Sequence, residues 1–357
     1  VLTMAELCAG YGGLHLAARH LWPDVRLSWV AETDPDAARV LATHYPNAAN
    51  VGDITVADWS RAEPVDILAA GYPCQPYSLA GARRGHDDPR AIWSHVAAAV
   101  RDLRPGLVLL ENVAAHAVRG FAEVVGDLAA LGYDATWTCL RASDLGAPHH
   151  RDRLFVVATP ADSGGEHVRI QPQSVGARDG AAVAGDAGPH VALTGLLPTP
   201  TASRAARRGQ PSAVVAATRY GQGRRMLDDA VALLPTLTSS ILLLPTPTAT
   251  NSHGNGHNNR GEPLLPAIAA DRAQWAQYGP AIARWEHITG RHAPHPTVVG
   301  KRGGRRLSAR FVEWLMGLAD GWVTSIVDNT AGLRLCGNGV VPLQAATGYR
   351  YLLDVTR

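Results

Sequence analysis

The run Gly71-Tyr72-Pro73-Cys74-Gln75-Pro76-Tyr77-Ser78 holds a thiol on a loop stiffened by prolines. It follows the apolar stretch 65–70, which reads as a buried strand, so Cys74 stands at a strand's carboxyl end. In an open parallel sheet that edge is where ligands bind. Such a loop packs a core poorly and presents a thiolate nucleophile well. The plainer reading of a cysteine is a small buried hydrophobe, and it serves for Cys8, Cys139 and Cys336. The four cysteines lie 66, 65 and 197 residues apart with no Cys-x-x-Cys pair, so neither a zinc site nor a disulfide framework is expected.

Three further clusters carry polar chemistry. Glu111-Asn112-Val113 follows the apolar stretch 107–110. A carboxyl there faces the same cleft as Cys74, and with a raised pKa it serves as general acid or hydrogen-bond donor. In His149-His150-Arg151-Asp152-Arg153, strand alternation sets Arg151 and Arg153 on one face, where two guanidiniums can orient an anion or a base. The alternative is a pair of solvated arginines at a strand's start. Glu6-Leu7-Cys8-Ala9-Gly10-Tyr11-Gly12-Gly13 is a strand running into a glycine turn, which allows close backbone approach to a ligand. It lacks the G-x-G-x-x-G spacing of a dinucleotide fingerprint. Glu32 lies 20–22 residues beyond the turn, where an acid bonds ribose hydroxyls in such folds, the alternative being a solvated strand-end carboxylate.

The elements that must hold these groups alternate along the first 160 residues. Strands are expected at 2–7, 27–31, 65–70, 107–110 and 154–158, and helices at 14–21, 36–44, 92–103 and 120–131, with Asp34-Pro35 opening the second helix. That order predicts an α/β fold with a doubly wound, mostly parallel sheet. Beyond Thr159 the chain is rich in Gly, Pro, Ser, Thr and Ala. The segment Leu196-Leu197-Pro198-Thr199-Pro200-Thr201-Ala202 recurs at 243–249, with a looser copy at 233–239. The spacing is too irregular for a solenoid, and the prolines suit extended or edge segments rather than central strands. Residues 251–259 read as a loop, and helical character returns at 264–279, 281–289 and 308–318. A glycine-rich turn at Gly337-Asn338-Gly339 then leads into a last helix after Pro342.

With 357 residues, 46% of them hydrophobic, the chain forms two domains, or one with a large insertion, and is not globally disordered. No apolar run of membrane length and no secretory leader is visible, so a cytoplasmic protein is expected. Net charge is +2, unevenly spread: 13 basic and 18 acidic residues in 1–159, 17 and 9 in 160–310, 3 and 4 in 311–357. Lys301 is the only lysine. Arginine suits bidentate contacts to phosphate and guanine, although GC-rich codons also favour it.

The order of these motifs, closed by Gly337-Asn338-Gly339, resembles the cytosine-C5 DNA methyltransferase family over residues 4–158 and about 305–355, nearly 60% of the chain. Pro-Cys-Gln followed by Glu-Asn-Val is the specific part of the likeness. The resemblance implies a catalytic and cofactor-binding domain at 1–159, a smaller irregular target-recognition region at 160–306, and a supporting helix with a C-terminal return at 307–357. It implies S-adenosylmethionine as cofactor, held by Cys8, Ala9, Gly10, Tyr11, Gly12, Gly13, Glu32, Asp53, Ile54, Gly71, Pro73 and Asn338. Cys74 becomes the nucleophile, Glu111 the contact to cytosine N3 and its amine, and Arg153 with Arg151 the groups that position the base. Gln75, Ser78, Asn112 and Val113 border the substrate. No metal is implied.

Double-stranded DNA is the implied partner, with a cognate restriction endonuclease acting separately and a monomeric enzyme. Arg204, Arg207, Arg208, Arg224 and Arg225 are candidates for backbone or base contacts, against the alternative of solvated charge. Three positions depart from the family's pattern: Cys8 for a phenylalanine, His149 for a glutamine, and Gly339 for a small polar residue. An RNA (tRNA) cytosine-C5 methyltransferase shares the catalytic layout, and the Arg-rich insertion favours DNA. A non-catalytic DNA-binding homologue is opposed by the intact Cys74, Glu111 and Arg153. The missing fingerprint spacing opposes a nicotinamide-dependent oxidoreductase.

Overall fold

A computed structural model describes residues 1–73, 92–161, 241–249, 265–270, 275–300 and 303–355. Its main sheet has seven strands: β1 (Thr3–Leu7), β2 (Arg26–Ala31), β3 (Ala49–Asn50), β4 (Ile67–Ala70), β5 (Leu107–Val113), β6 (Tyr133–Arg141) and β7 (Asp152–Pro160). Their order is β3-β2-β1-β4-β5-β7-β6. Pairings from β3 through β5 are parallel, while β7 runs antiparallel between β5 and β6. The winding changes direction between β1 and β4, which opens a crevice at their carboxyl ends.

Four helices lie in the first part of the chain: α1 (Gly13–Arg19), α2 (Pro35–His44), α3 (Trp93–Leu103) and α4 (Phe121–Ala130). Later come α5 (Leu265–Ala270), α6 (Gly279–Thr289), a hairpin of β8 (Thr297–Val299) and β9 (Arg305–Leu307), then α7 (Ala309–Leu315), α8 (Asn329–Asn338) and α9 (Pro342–Val355). Strand alternation divides the sheet's core into two layers. Met4, Ile67, Leu107, Leu109, Phe155 and Val157 pack with Leu14 of α1 and Tyr349 of α9. Ala5, Leu68, Val108, Leu110, Leu154 and Val156 pack with Val96 of α3 and Phe121 of α4. Both faces are covered, which is why β4 and β5 read as unbroken apolar runs.

A third core gathers Leu265, Trp285, Phe311, Trp314 and Leu315, and it reaches Tyr11 and α2 through Ala37 and Val40. The buried Glu313 organises its junction with the sheet. This carboxylate accepts from the backbone N–H of Gly321 (2.8 Å), Val323 (2.5 Å) and Thr324 (2.9 Å). The turn so fixed carries Trp322, whose indole N–H donates to the Tyr11 carbonyl (3.0 Å) and whose ring stacks on His44 at 3.6 Å.

Three features differ from the sequence expectation. β6 was not foreseen: it is an edge strand, Tyr-Asp-Ala-Thr-Trp-Thr-Cys-Leu-Arg, with no continuous apolar run to announce it. β5 extends three residues past 110, because β7 continues the ladder with Glu111 opposite Phe155, Asn112 opposite Leu154 and Val113 opposite Arg153. Gly337 and Asn338 are the last turn of α8 rather than a loop, and Gly339 follows in extended backbone. The expected strands 2–7, 27–31, 65–70 and 154–158 and the expected helices before residue 132 are all present within a few residues. Of the recurring Leu-Leu-Pro-Thr segments, 243–249 is described, while 196–202 and 233–239 lie outside the described residues.

The C-terminal return closes on the first glycine turn. Tyr11 donates its hydroxyl to the Val340 carbonyl at 2.5 Å, and a Cβ on Gly339 would overlap the Tyr11 ring. Gly339→Ala is therefore expected to cost about 1–3 kcal/mol, the usual range for overpacking. Urea unfolding of Gly339→Ala, Tyr11→Ala and the double variant checks this. The alanine's cost should largely vanish once Tyr11 is truncated, and an equal cost in both backgrounds would refute the overlap.

Candidate active site

A cleft of about 520 Å³ occupies the crevice at the carboxyl ends of β1, β2, β4 and β5. Cys8, Ala9, Gly10, Tyr11 and Gly13 line it from the turn after β1, Glu32 from the end of β2, and Asp53 with Ile54 from beyond β3. Gly71, Tyr72 and Pro73 close it after β4, Glu111, Asn112 and Val113 line it from β5, and Arg153 from β7. Gly337, Asn338 and Gly339 form the facing wall. Among the implied cofactor residues, Gly12 alone does not line it. Gly12 caps α1 in left-handed backbone (φ 81°), packed so closely that a Cβ would come within 2.9 Å of Tyr45. Cys74, Gln75, Ser78, Arg204, Arg207, Arg208, Arg224 and Arg225 lie outside the described residues.

The turn after β1 is held by two carboxylates. Glu32 accepts from the N–H of Gly10 and of Asp34, both at 2.7 Å. Burial raises its pKa against those bonds and the pull of Arg334. The end of β2 is braced by Asn50, whose amide group exchanges two 3.0 Å bonds with the Glu32 backbone. Glu6, 2% exposed, accepts from the N–H of Leu14 (3.1 Å) and His15 (2.9 Å), supplying the cap that Gly12 lacks. Burial pushes its pKa up to about 8, although the N–H bonds oppose the shift. Neither Glu6 nor Asn50 was singled out from the sequence. A lone acid in an apolar strand, a few residues before a helix with no capping side chain, is the signal that could have found Glu6.

Arg334 of α8 spans the rim, pairing with Asp34 and, at 2.7 Å, with Asp36. Asp34 also caps α2, as Asp34-Pro35 suggested, accepting from Asp36 N (2.9 Å) and Ala37 N (3.1 Å). Glu6, Glu32, Asp34, Asp53 and Glu111 thus line the cleft against only Arg153 and Arg334. Such a lining favours a cationic ligand and disfavours a pyrophosphate. The open Gly10, with no atom within 4 Å of where its Cβ would be, and the apolar Ile54 leave room for a nucleoside. The residues present therefore fit a sulfonium nucleoside.

At the other end, Glu111 Oε1 meets Arg153 Nε at 2.8 Å, with both side chains mostly buried. Arg153 pairs with Val113 in the ladder, so it lies diagonally from Glu111 on one face. Burial raises the Glu111 pKa, and Arg153 and Arg151 partly offset this. A Cβ on Gly71 would lie 3.5 Å from Glu111 Oε2, so this carboxyl overhangs the backbone three residues before Cys74. Asn112 donates to the Tyr72 carbonyl (3.1 Å) and the Tyr72 hydroxyl bonds His116 (3.0 Å), which fixes the approach to Pro73.

Arg151 departs from the alternation argument. It precedes β7 in left-handed backbone (φ 40°), is 1% exposed and is not part of the cleft lining. Its guanidinium instead donates to the carbonyls of Pro247 (3.2 Å), Gly337 (3.3 Å) and Gly339. Burial and the Glu32 charge push the Cys8 thiol up to about 12, so this cysteine of the cleft stays protonated and is no nucleophile.

The architecture is that of S-adenosylmethionine-dependent methyltransferases. Over their whole lengths the chain resembles the Schizosaccharomyces pombe Dnmt2 methyltransferase (TM-score 0.58, 15% identity). It also resembles a putative DNA modification methyltransferase encoded within an Escherichia coli prophage (TM-score 0.53, 17% identity, 100% and 99% coverage). These likenesses establish the fold. Residues 2–186 match the C-5 cytosine-specific DNA methylase family, and the chain belongs to it. Among curated relatives, the Type II methyltransferase M.NlaX of Neisseria lactamica is 32% identical over 162 residues, 44% of this chain and 52% of that protein. The Type II methyltransferase M.NaeI of Lentzea aerocolonigenes is 35% identical over 167 residues, 44% and 40% respectively. The match thus spans about half or less of each relative's length.

The buried Glu6 makes stability pH-dependent. Its folded pKa of about 8 stands above the unfolded value, so its contribution is fully present below pH 4.5 and is lost as pH rises toward 8. Glu6→Gln is expected to flatten this decline, removing up to about 5 kcal/mol of pH dependence. Chemical unfolding of both proteins from pH 5 to 8.5 checks it, and parallel curves would contradict it.

Proposed function

We propose that this chain transfers a methyl group from S-adenosylmethionine to C5 of a flipped-out cytosine within a specific sequence of double-stranded DNA. The observation that carries the reading is the Glu111–Arg153 pair overhanging the backbone that leads to Cys74, at the edge of an acid-lined cleft. Family membership supports the same chemistry. The cofactor supplies an electrophilic methyl group as its sulfonium. Glu32 receives its ribose hydroxyls, Ile54 and the 8–13 turn its adenosine, and Asn338 closes the far wall.

Cytosine C5 is a weak nucleophile. Addition of the Cys74 thiolate to C6 makes C5 enamine-like and able to take the methyl group. Electron density moving onto the ring must be met at N3. Glu111, kept neutral by burial, donates there from one oxygen while the other stays on Arg153. A base then removes the C5 proton, the C6–S bond breaks and the thiolate leaves. C6 is unreachable inside a duplex, so the base must be extruded into the cleft. The basic 160–310 segment supplies phosphate contacts. Arg151 acts as a positioning residue. We place the enzyme in the cytoplasm, working as a monomer beside a restriction endonuclease of the same specificity, as the Type II names of its relatives suggest.

Cys74→Ala should abolish methyl transfer while leaving S-adenosylmethionine binding nearly intact. Single-base 5-methylcytosine mapping of DNA from a methylation-free host, with a parallel transfer assay on tRNA, tests this. Methylation of tRNA alone would move the substrate class to RNA. Turnover by the variant within about tenfold of wild type would remove the nucleophile, since covalent catalysis cannot survive its loss. Glu111→Gln should slow single-turnover transfer by about two orders of magnitude. Neutral Glu111 is the working form and its pKa is raised, so the wild-type rate should fall on the alkaline side as this carboxyl ionises, and the glutamine variant should lack that limb.

A further inference from the structure

The repeated Leu-Leu-Pro-Thr segments have no part in the chemistry above. The described copy, 243–249, lies extended across residues 148–151. Leu244 donates its N–H to the Pro148 carbonyl (2.7 Å), forms a parallel bridge with His149, and is 1% exposed within the third core. Thr246 Oγ1 accepts from Arg151 N (3.0 Å), and the Pro247 carbonyl accepts from the Arg151 guanidinium. Thr248 and Ala249 pass so close to Gly337 that a Cβ there would overlap their backbone. The prolines leave no N–H unpaired in this seat.

Every one of these contacts uses a group that residues 196–202 also possess. The two segments are identical over seven residues, with Leu197, Thr199, Pro200 and Thr201-Ala202 in the corresponding places. Copy 233–239 differs: Leu237 stands where the buried Pro247 fits, adding bulk and an N–H. The residues downstream of the identical copies are unlike. After the first comes Ser203-Arg204-Ala205-Ala206-Arg207-Arg208-Gly209, and after the other Thr250-Asn251-Ser252-His253-Gly254-Asn255-Gly256-His257. Arginine reads guanine, whereas asparagine reads adenine.

We propose that the seat formed by residues 148–151 and Gly337 accepts either identical copy, 196–202 or 243–249, so that one catalytic frame presents two alternative base-reading loops to DNA. The seat joins the cleft wall through Arg151 and Gly337, which puts the launch point of either loop at the cleft rim. Exchange redistributes chain between the two flanking loops, and loop-closure entropy separates the arrangements by only about twofold. The idea of base reading rests on the function proposed above; the seat exchange does not.

The test places the photo-crosslinking residue benzoylphenylalanine at the exposed His150, beside the seat. Trypsin separates 196–202 from 243–249, so mass spectrometry assigns each crosslink. At least about a tenth of the crosslinks should fall on 196–202, given the small entropic difference. In Leu244→Asp/Thr246→Val they should move almost wholly there, and in Leu197→Asp that share should disappear. A share below a tenth in the full-length wild-type chain overturns the proposal, whether or not the double variant folds. Methylation maps of the two variants then report on base reading alone. Different recognition sequences support the loop assignment, and one unchanged sequence removes it while leaving the crosslink result in force.

Discussion

Arg151 is the point on which the other contacts converge. A buried guanidinium would be costly without partners, and no carboxylate meets it within bonding distance among the described residues. Carbonyl oxygens from two distant parts of the chain satisfy it instead, while its own carbonyl accepts from Gln344 of α9 at 2.7 Å. Burial draws its pKa down to about 9, still a cation at neutral pH. Such a group accepts little displacement, because each lost bond exposes a carbonyl and the charge together. The cleft's far wall, the strap and the sheet therefore hold one relation to each other. The left-handed backbone at Arg151 belongs to that arrangement: it turns the side chain away from the face that Arg153 uses.

The antiparallel β7 does for the reacting end what Arg151 does for the frame. It extends β5 beyond the end of β4, so Glu111, Asn112 and Val113 project over the crevice on paired, rigid backbone. It also delivers Arg153 at the one diagonal that reaches Glu111. An arginine touching a carboxyl ordinarily stabilises the anion, whereas burial favours the acid, and here burial is the larger effect. The balance suits a donor that must bond a developing anion and survive as a carboxylate afterwards. Cys8 shows the opposite use of the same desolvation, since a thiol in this acidic cleft is kept inert.

Much of this was legible from residue order. Strands buried on both faces leave unbroken apolar runs, and Asp34-Pro35 is a local cap signal, so β1, β2, β4 and α2 could be placed. The edge strand β6 could not, because half of each face meets solvent and its residues alternate without an apolar run. Cleft residues at strand ends were found because topology fixes where strand ends go. Glu6, Asn50, Asp34 and Arg334 act through partners up to 300 residues away, and spacing carries no trace of that. Alternation also misplaced Arg151, since the rule holds only inside a strand and this residue lies one position outside β7.

The departures from the family's pattern are linked by packing rather than by chemistry. Gly339 is the residue that lets Tyr11 lie against the C-terminal return and bond Val340. A small polar side chain there would collide with that ring, so Tyr11 and Gly339 belong to one solution. His149 is wholly buried and donates from Nε2 to the Leu315 carbonyl at 3.0 Å, and burial lowers its pKa to about 3, so the ring is neutral. It ties the residues before Arg151 to α7, a service that needs a donor but no charge. Each change therefore sits where the C-terminal return or its helices press on the sheet, and none touches Glu111 or Arg153. The frame has been refitted around an unaltered pair of reacting groups, which is what selection on chemistry, with freedom in packing, would leave behind.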